Sequence, residues 1–226
     1  MQSLLSNIVI RINDKVYLKD PESTELGKKI LTQGIEMIED LGFESFTFKK
    51  LAKEIGSTEA SIYRYFVSKH HLLIYIVLWY WGWIEYRLVF ALNNIVSPEE
   101  RLMKAIKILT EKVEQDSTFL HINEVKLNRI VISESSKIYF NKNVDTENSD
   151  GFFLKYKNVV ERVSDIILEI NPKYKYPHML VSTIIEGAHH QRFFAEHLPR
   201  LTDIVKGEDA VVSFYQAMAI QQSTTK

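Results

Sequence analysis

The chain is 226 residues long, 46% hydrophobic and 25% charged, with a formal net charge of −1; it can bury a core, and it is neither a disordered chain nor a strongly basic one. It has no cysteine, which excludes disulfide frameworks, cysteine-ligated zinc and thiol nucleophiles and suits a cytoplasmic location. With eight glycines and five prolines punctuation is sparse, and the long periodic stretches predict an all-α fold.

Residues 1–24 stand apart as an N-terminal arm. From Ile8 to Leu18 the sequence IVIRINDKVYL sets two β-branched runs about Asn13-Asp14, which reads either as a small hairpin or as a flexible arm. No basic run leads into an apolar core, so no secretory signal is expected. From Asp20-Pro21 the pattern turns helical. Leu26, Ile30, Ile35, Ile38 and Leu41 predict a helix over 24–41, begun by Ser23 or Thr24 and ended at Gly42. Thr47 caps a helix over 48–55, Gly56 breaks it, and a further helix covers 58–66.

Ser68 starts a long helix over 69–94. Within it, Leu72 to Ile84 reads LLIYIVLWYWGWI without a charge. A membrane span needs about 20 apolar residues, so this run predicts a buried helix and no membrane partner. Ser97-Pro98-Glu99-Glu100 opens a helix to 115, and Asp116 or Ser117 opens another to 133. The polar stretch 141–149 predicts a loop. Helices over 150–170, 177–197 and 206–221 follow, bounded by Asn171-Pro172 and Leu198-Pro199, and the tail is expected to fray.

The segment from Thr47 to Phe66 carries the functional signal. Two short helices around a glycine turn form a helix-turn-helix when they cross steeply. Ala52 is small enough for the crossing, Gly56 tolerates positive φ, and Leu51, Ile55, Ile62 and Phe66 supply an inward face. The Ala52, Gly56 and Ile62 spacing is that of a DNA-reading motif. Between Phe46 and Tyr75 five cations, Lys49, Lys50, Lys53, Arg64 and Lys69, face two acids, Glu54 and Glu59; this local excess is modest.

The wider segment FESFTFKKLAKEIGSTEASIYRYFVSKHHLL resembles the DNA-binding region of the TetR-like (tetracycline-repressor-like) bacterial regulators. The match rests on Gly42-Phe43, Thr47, Leu51-Ala52, Gly56, the block Ile62-Tyr63-Arg64-Tyr65-Phe66, Ser68-Lys69 and Leu72-Leu73. The resemblance implies a three-helix DNA-binding domain over 25–68 and a helical regulatory and dimerisation domain over 69–226. It implies that Thr47 and the amides behind it hold a phosphate, and that the 58–66 helix enters the major groove. Ser57, Thr58, Ser61 and Arg64 then face base edges, with Arg64 the guanine reader. Tyr63 and Tyr65 brace the backbone through their hydroxyls, and Lys69 pairs with a phosphate. Ser57 stands where the family is often apolar, and Glu59 where a basic or small residue is common; a carboxylate there needs cytosine N4 or a cation as partner.

In the long helix Tyr75, Trp79, Trp83, Tyr86 and Phe90 fall on one stripe. Core packing explains each singly; the resemblance implies a ligand cavity for a bulky apolar effector. The last two helices resemble the family's four-helix dimer interface, with Ile184, Ala188, Phe193, Phe214 and Met218 as contacts. A homodimer on a palindromic operator follows, since one motif reads only a half-site. His189, His190 and His197 lack the spacing to share a metal, and neither a metal nor another cofactor is expected. The sequence has no HExxH, no glycine-rich phosphate loop and no GxSxG, so an enzyme is not expected. The rival reading is a helical ligand-binding or scaffold protein whose helix-turn-helix no longer reads DNA.

Overall fold

The computed structural model describes residues 9–116 and 118–224. The described residues form helices and no strand. In chain order the α-helices are α1 (Glu25–Leu41), α2 (Phe48–Glu54), α3 (Glu59–Tyr63), α4 (Lys69–Leu92), α5 (Pro98–Thr110) and α6 (Glu124–Glu134). There follow α7 (Ser136–Tyr139), α8 (Val144–Ser149), α9 (Leu154–Ile170), α10 (Pro177–His197) and α11 (Ala210–Thr224).

Local chemistry explains most boundaries. Thr24 caps α1 by accepting from the Gly27 amide at 3.0 Å, and the Ser68 hydroxyl accepts from the His71 amide at 3.3 Å at the head of α4. The expected run from 98 to 115 stops at Thr110, because Glu111 turns extended (ψ 159°). The next helix starts at Glu124 rather than near Asp116, because Asn123 is the residue that caps, accepting from the Lys126 amide at 3.0 Å. The loop expected over 141–149 contains the short helix α8. Gly151 (φ +81°) delays α9 to Leu154, and Asp209, which accepts from the Val212 amide at 3.2 Å, sets the start of α11. That helix runs on to Thr224, past the expected fraying point.

The hairpin expected at the N-terminus does not form among the described residues; Ile8 lies outside them. Asn13 accepts from the Lys15 amide at 3.0 Å and starts a 3-10 turn over Asp14–Val16. An Asx turn of this kind takes up the local donors that a ladder would need. Nor is the described part of the arm loose: Ile10, Ile12 and Val16 are buried, the Asn13 side chain donates to the Asp150 carbonyl at 2.8 Å, and Lys15 pairs with Asp150 at 2.7 Å.

The chain divides into two compact units: residues up to Gly82 with Val113–Leu154, and Trp83–Lys112 with the residues from Lys155 on. The boundary expected at Ser68 thus falls inside the first unit. The reason is packing. Phe66 and Tyr75 meet edge-to-face at 5.5 Å, Tyr17 meets Tyr75 at 5.9 Å, and Trp79 meets Phe119 at 5.1 Å. The first part of α4 is the core on which the N-terminal helices rest. By length and composition α4 could cross a membrane, but every side chain from Leu72 to Ile84 is buried by protein, as in the core helix of a globular fold.

The second unit is made from the end of α4 with α5, α9, α10 and α11. Its core includes Leu102, Ile106, Val163, Ile167, Val181, Ile184 and Ile185. At Gly187 a Cβ would sit 2.2 Å from the Tyr215 hydroxyl, so only glycine lets α10 and α11 approach this closely. Arg192 closes the same region by donating to the Thr110 carbonyl and pairing with Asp209 at 2.7 Å.

Candidate nucleic-acid interface

The expected reading head is α2, a tight turn and α3. Thr47 caps α2 by accepting from the Lys50 amide at 3.2 Å, and Lys50 in turn donates from Nζ to the Ser45 carbonyl at 2.7 Å. Gly56 takes φ +64° in a turn closed by Ser57 N donating to the Ala52 carbonyl at 2.8 Å; a Cβ there would touch nothing, so glycine serves the backbone angle alone. Thr58 caps α3, accepting from the Ser61 amide at 3.2 Å, and the two hydroxyls share a bond of 2.9 Å. Inside, Phe48 packs edge-to-face with Tyr63 at 5.1 Å, and Leu51, Ala52, Ile62 and Phe66 are buried.

The expected contact residues divide into two groups. Thr47, Thr58, Glu59, Tyr63 and Arg64 are exposed and Ser57 and Ser61 half-buried, all within α2, α3 and their junction. Tyr63 keeps its ring on Phe48 yet is 46% exposed. A capping hydroxyl that accepts from an amide still has its own hydrogen to give, so Thr47 retains a donor.

Two expectations are corrected. Tyr65 is 1% exposed; its hydroxyl bonds the Thr24 hydroxyl at 2.7 Å and its carbonyl accepts from the Leu18 amide at 2.8 Å. It joins the arm and α1 to the reading head and offers nothing to a phosphate. Lys69 is likewise engaged within the protein. Its ammonium donates to the carbonyls of Phe43, Glu44 and Phe46 at 2.9, 3.1 and 3.1 Å and lies 4.6 Å from the Phe43 ring centre. An ammonium has three hydrogens, and all three are used.

Two carboxylates that the sequence did not single out tie down the segments on either side of this head, at Phe43 and His70. Glu134 accepts from the Phe43 amide at 3.2 Å and from Lys137 at 2.7 Å. Glu147 meets His70 Nε2 at 2.9 Å and Asn141 at 3.2 Å. Both are buried. They lie 91 and 77 residues from their partners, a separation that no local spacing rule can register. A third buried acid, Glu124, accepts from Gln115 at 2.5 Å and the Asp116 amide at 3.2 Å through one oxygen, while the other has no partner. Burial pushes its carboxyl up to about 7, against the amide bonds that pull it down.

The aromatic stripe of α4 does not line one cavity. Tyr75 and Trp79 are packed ring to ring in the first unit, and Trp83 is buried beneath the Arg87 guanidinium at 4.8 Å. Tyr86 and Phe90 line a cleft of about 250 Å³ together with Lys104 and Lys107. From Leu72 to Ile84 α4 is covered on all sides, and burial of that kind produces a stripe at helical spacing without a void.

The expected dimer contacts also divide. Ile184 and Ala188 are buried within the second unit, since their side of α10 meets the chain's own helices, and they are not open to a partner. Phe193 is 38% and Phe214 57% exposed, and Met218 is half-buried. His189 is buried and pushed down to about 4 by desolvation, then by His190. His190 stacks on Phe194 and His197 lies on Phe193. Among the described residues no three metal-ligating side chains converge.

Residues 30–76 match the family model for bacterial regulatory proteins of the tetR family. A comparison with curated protein sequences finds no match. Among solved structures the chain resembles the superantigen PfiT, with TM-score 0.59, 16% identity, and coverage of 90% of this chain and 97% of that one. It also resembles the TetR family transcriptional regulator PfmR of Thermus thermophilus, with TM-score 0.56, 15% identity, and coverage of 85% and 96%. A third is AibR in complex with isovaleryl coenzyme A and operator DNA, with TM-score 0.54, 14% identity, and coverage of 88% and 100%. At these identities the structures speak for the fold alone. Residues 30–76 are therefore similar to the bacterial regulatory proteins of the tetR family, and the described residues share the all-helical fold of the TetR family regulator PfmR.

Proposed function

We propose that this protein is a transcriptional regulator, a cytoplasmic repressor that grips a palindromic operator in double-stranded DNA as a homodimer and is released by a small molecule. The observation that carries it is the joint exposure of Glu59, Tyr63 and Arg64 on a short helix capped by Thr58, inside the segment that matches the family model. Arg64 reads a guanine through O6 and N7, Glu59 accepts from a cytosine amino group, and Thr47 with the amides of α2 takes a phosphate. The protein is not an enzyme on this reading, and no membrane takes part.

The homodimer rests on apolar side chains left open at the end of the chain. Phe193, Phe214, Leu198, Leu201, Ile204 and Val205 are exposed, and Met218 is half-buried. Two recognition helices about one DNA turn apart then read two half-sites. The effector must prefer the state that does not fit DNA, because equal affinity for both states shifts nothing. A wholly apolar effector is not carried forward, since the clefts described in the second unit have charged walls.

Binding to its own upstream DNA, followed by fluorescence anisotropy from about 50 to about 200 mM salt, tests the reading. A steep fall of affinity with salt, and enrichment of one palindrome from a random pool, are expected. The rival scaffold reading draws on Glu59 and on the loss of Lys69 as a phosphate contact. Weak binding with no enriched site would establish it instead.

A further inference from the structure

Two lysines beside the short helices α2 and α3 are in opposite states. Lys69 spends the three hydrogens of its ammonium on the carbonyls of Phe43, Glu44 and Phe46 and has none left for a phosphate. Lys19, in the N-terminal arm, is exposed and has no hydrogen bond or ion pair among the described residues. The acids that follow it in sequence have other partners. Asp20 accepts from the Glu22 amide at 2.9 Å, Glu22 pairs with His121 at 2.8 Å, and Glu25 pairs with Lys28 at 3.4 Å.

The charge of Lys19 is unspent, yet its place is fixed. The Leu18 amide donates to the Tyr65 carbonyl at 2.8 Å, and Tyr17 meets Tyr75 edge-to-face at 5.9 Å. On the other side Asp20 caps a 3-10 turn over Pro21–Ser23 that leads into α1. The Lys19 ammonium sits 5.2 Å from the centre of the Tyr65 ring, within cation–π range. Tyr65 directly follows Arg64, the residue that closes α3. The arm thus brings an unpaired cation to the flank of the helix expected to read bases. The major groove is about 12 Å wide. A charge one aromatic ring to the side of a helix lying in it comes to the strand that borders the groove.

We propose that Lys19 is a phosphate contact of this protein on duplex DNA, held beside α3 by the arm in the part that Lys69 cannot play. The proposal rests on the DNA-binding reading above and adds the arm to its contact surface. A lysine meets phosphate as a point charge and reads no base. Lys19 therefore adds affinity equally on every sequence, and its contact releases about one counterion.

Fluorescence anisotropy on the full chain, from about 50 to about 200 mM salt, tests this with a palindrome selected from a random pool and a scrambled duplex of the same length. All variants are compared well below their melting temperatures, so that loss of the ring contact does not enter. Lys19→Gln should lower the slope of log affinity against log salt by about one per subunit bound. It should weaken both duplexes alike, by roughly tenfold per subunit at 0.1 M salt, the counterion term of one phosphate. Lys19→Arg should keep the slope of the parent protein. Lys173→Gln, the same charge loss at an exposed site between α9 and α10, should change neither slope nor affinity. An unchanged slope in Lys19→Gln overturns the proposal and leaves the DNA-binding reading standing. A loss confined to the palindrome also overturns it, because a phosphate contact is blind to sequence. A parent protein without affinity for either duplex refutes the regulatory reading and the proposal with it.

Discussion

The reading head and the first half of α4 are neighbours in sequence and opposites in construction. From Thr47 to Arg64 two short capped helices keep one side in the core and leave polar side chains outside. From Leu72 to Ile84 one unbroken helix leaves no side outside at all. Recognition needs unsatisfied donors and acceptors facing water, and short capped helices can keep them because the turn and the caps fix their backbone. A buried helix satisfies its backbone internally and commits its side chains to packing. The chemistry of the molecule therefore sits where the secondary structure is briefest.

The contrast can be broken most forcefully from the buried side. Trp79→Ala should cost about 3–5 kcal/mol in urea unfolding, with the fraction that stays folded binding DNA as tightly as before; a loss of affinity at full folding would mean that the column itself takes part in recognition. Next comes the buried carboxyl of the same unit. The fold favours neutral Glu124, so stability is greatest below about pH 4.5 and falls as pH rises toward about 7, then levels. Glu124→Gln should abolish that decline and add at most about 3 kcal/mol at pH 8. A slope that persists in the variant would assign it elsewhere.

On the exposed side Arg64→Ala should weaken operator binding by about 10- to 100-fold, as for loss of a base contact worth roughly 1–3 kcal/mol, and leave the unfolding midpoint within error. The smallest effect sharpens the contrast most. Tyr65→Phe removes a hydroxyl bonded to Thr24 and should cost about 1 kcal/mol of stability with no change in DNA affinity. Tyr63→Phe, on the outward side, should do the reverse. Identical behaviour of the two variants would erase the distinction between brace and contact.

Much of this was legible in the sequence. Caps, glycines and period located the helices, and the Ala52, Gly56 and Ile62 spacing with its flanking block located the reading head. What stayed hidden was direction and distance. Tyr63 and Tyr65 are the same residue type two positions apart, yet two steps of about 100° carry the side chain to the opposite side of the chain, so one faces out and the other in. Lys69 looks like any surface cation until the three carbonyls around it are seen. The stripe through Tyr75, Trp79 and Trp83 fits a cavity wall and a solid core equally well, because periodicity reports burial and not empty space. Ile184 and Phe214 were alike in hydrophobicity and differ only in what covers them. Glu134 and Glu147 act across long stretches of chain, which no local pattern records.

The grip of Lys69 has a mechanical corollary. One ammonium ties the first residue of α4 to three carbonyls, those of Phe43, Glu44 and Phe46, in the strap that leads into Thr47. Any axial creep or roll of that helix tugs directly on the strap, and with it on the start of α2. Lys69 is a tiller rope, hitching the attitude of the two short helices to the travel of the helix behind it.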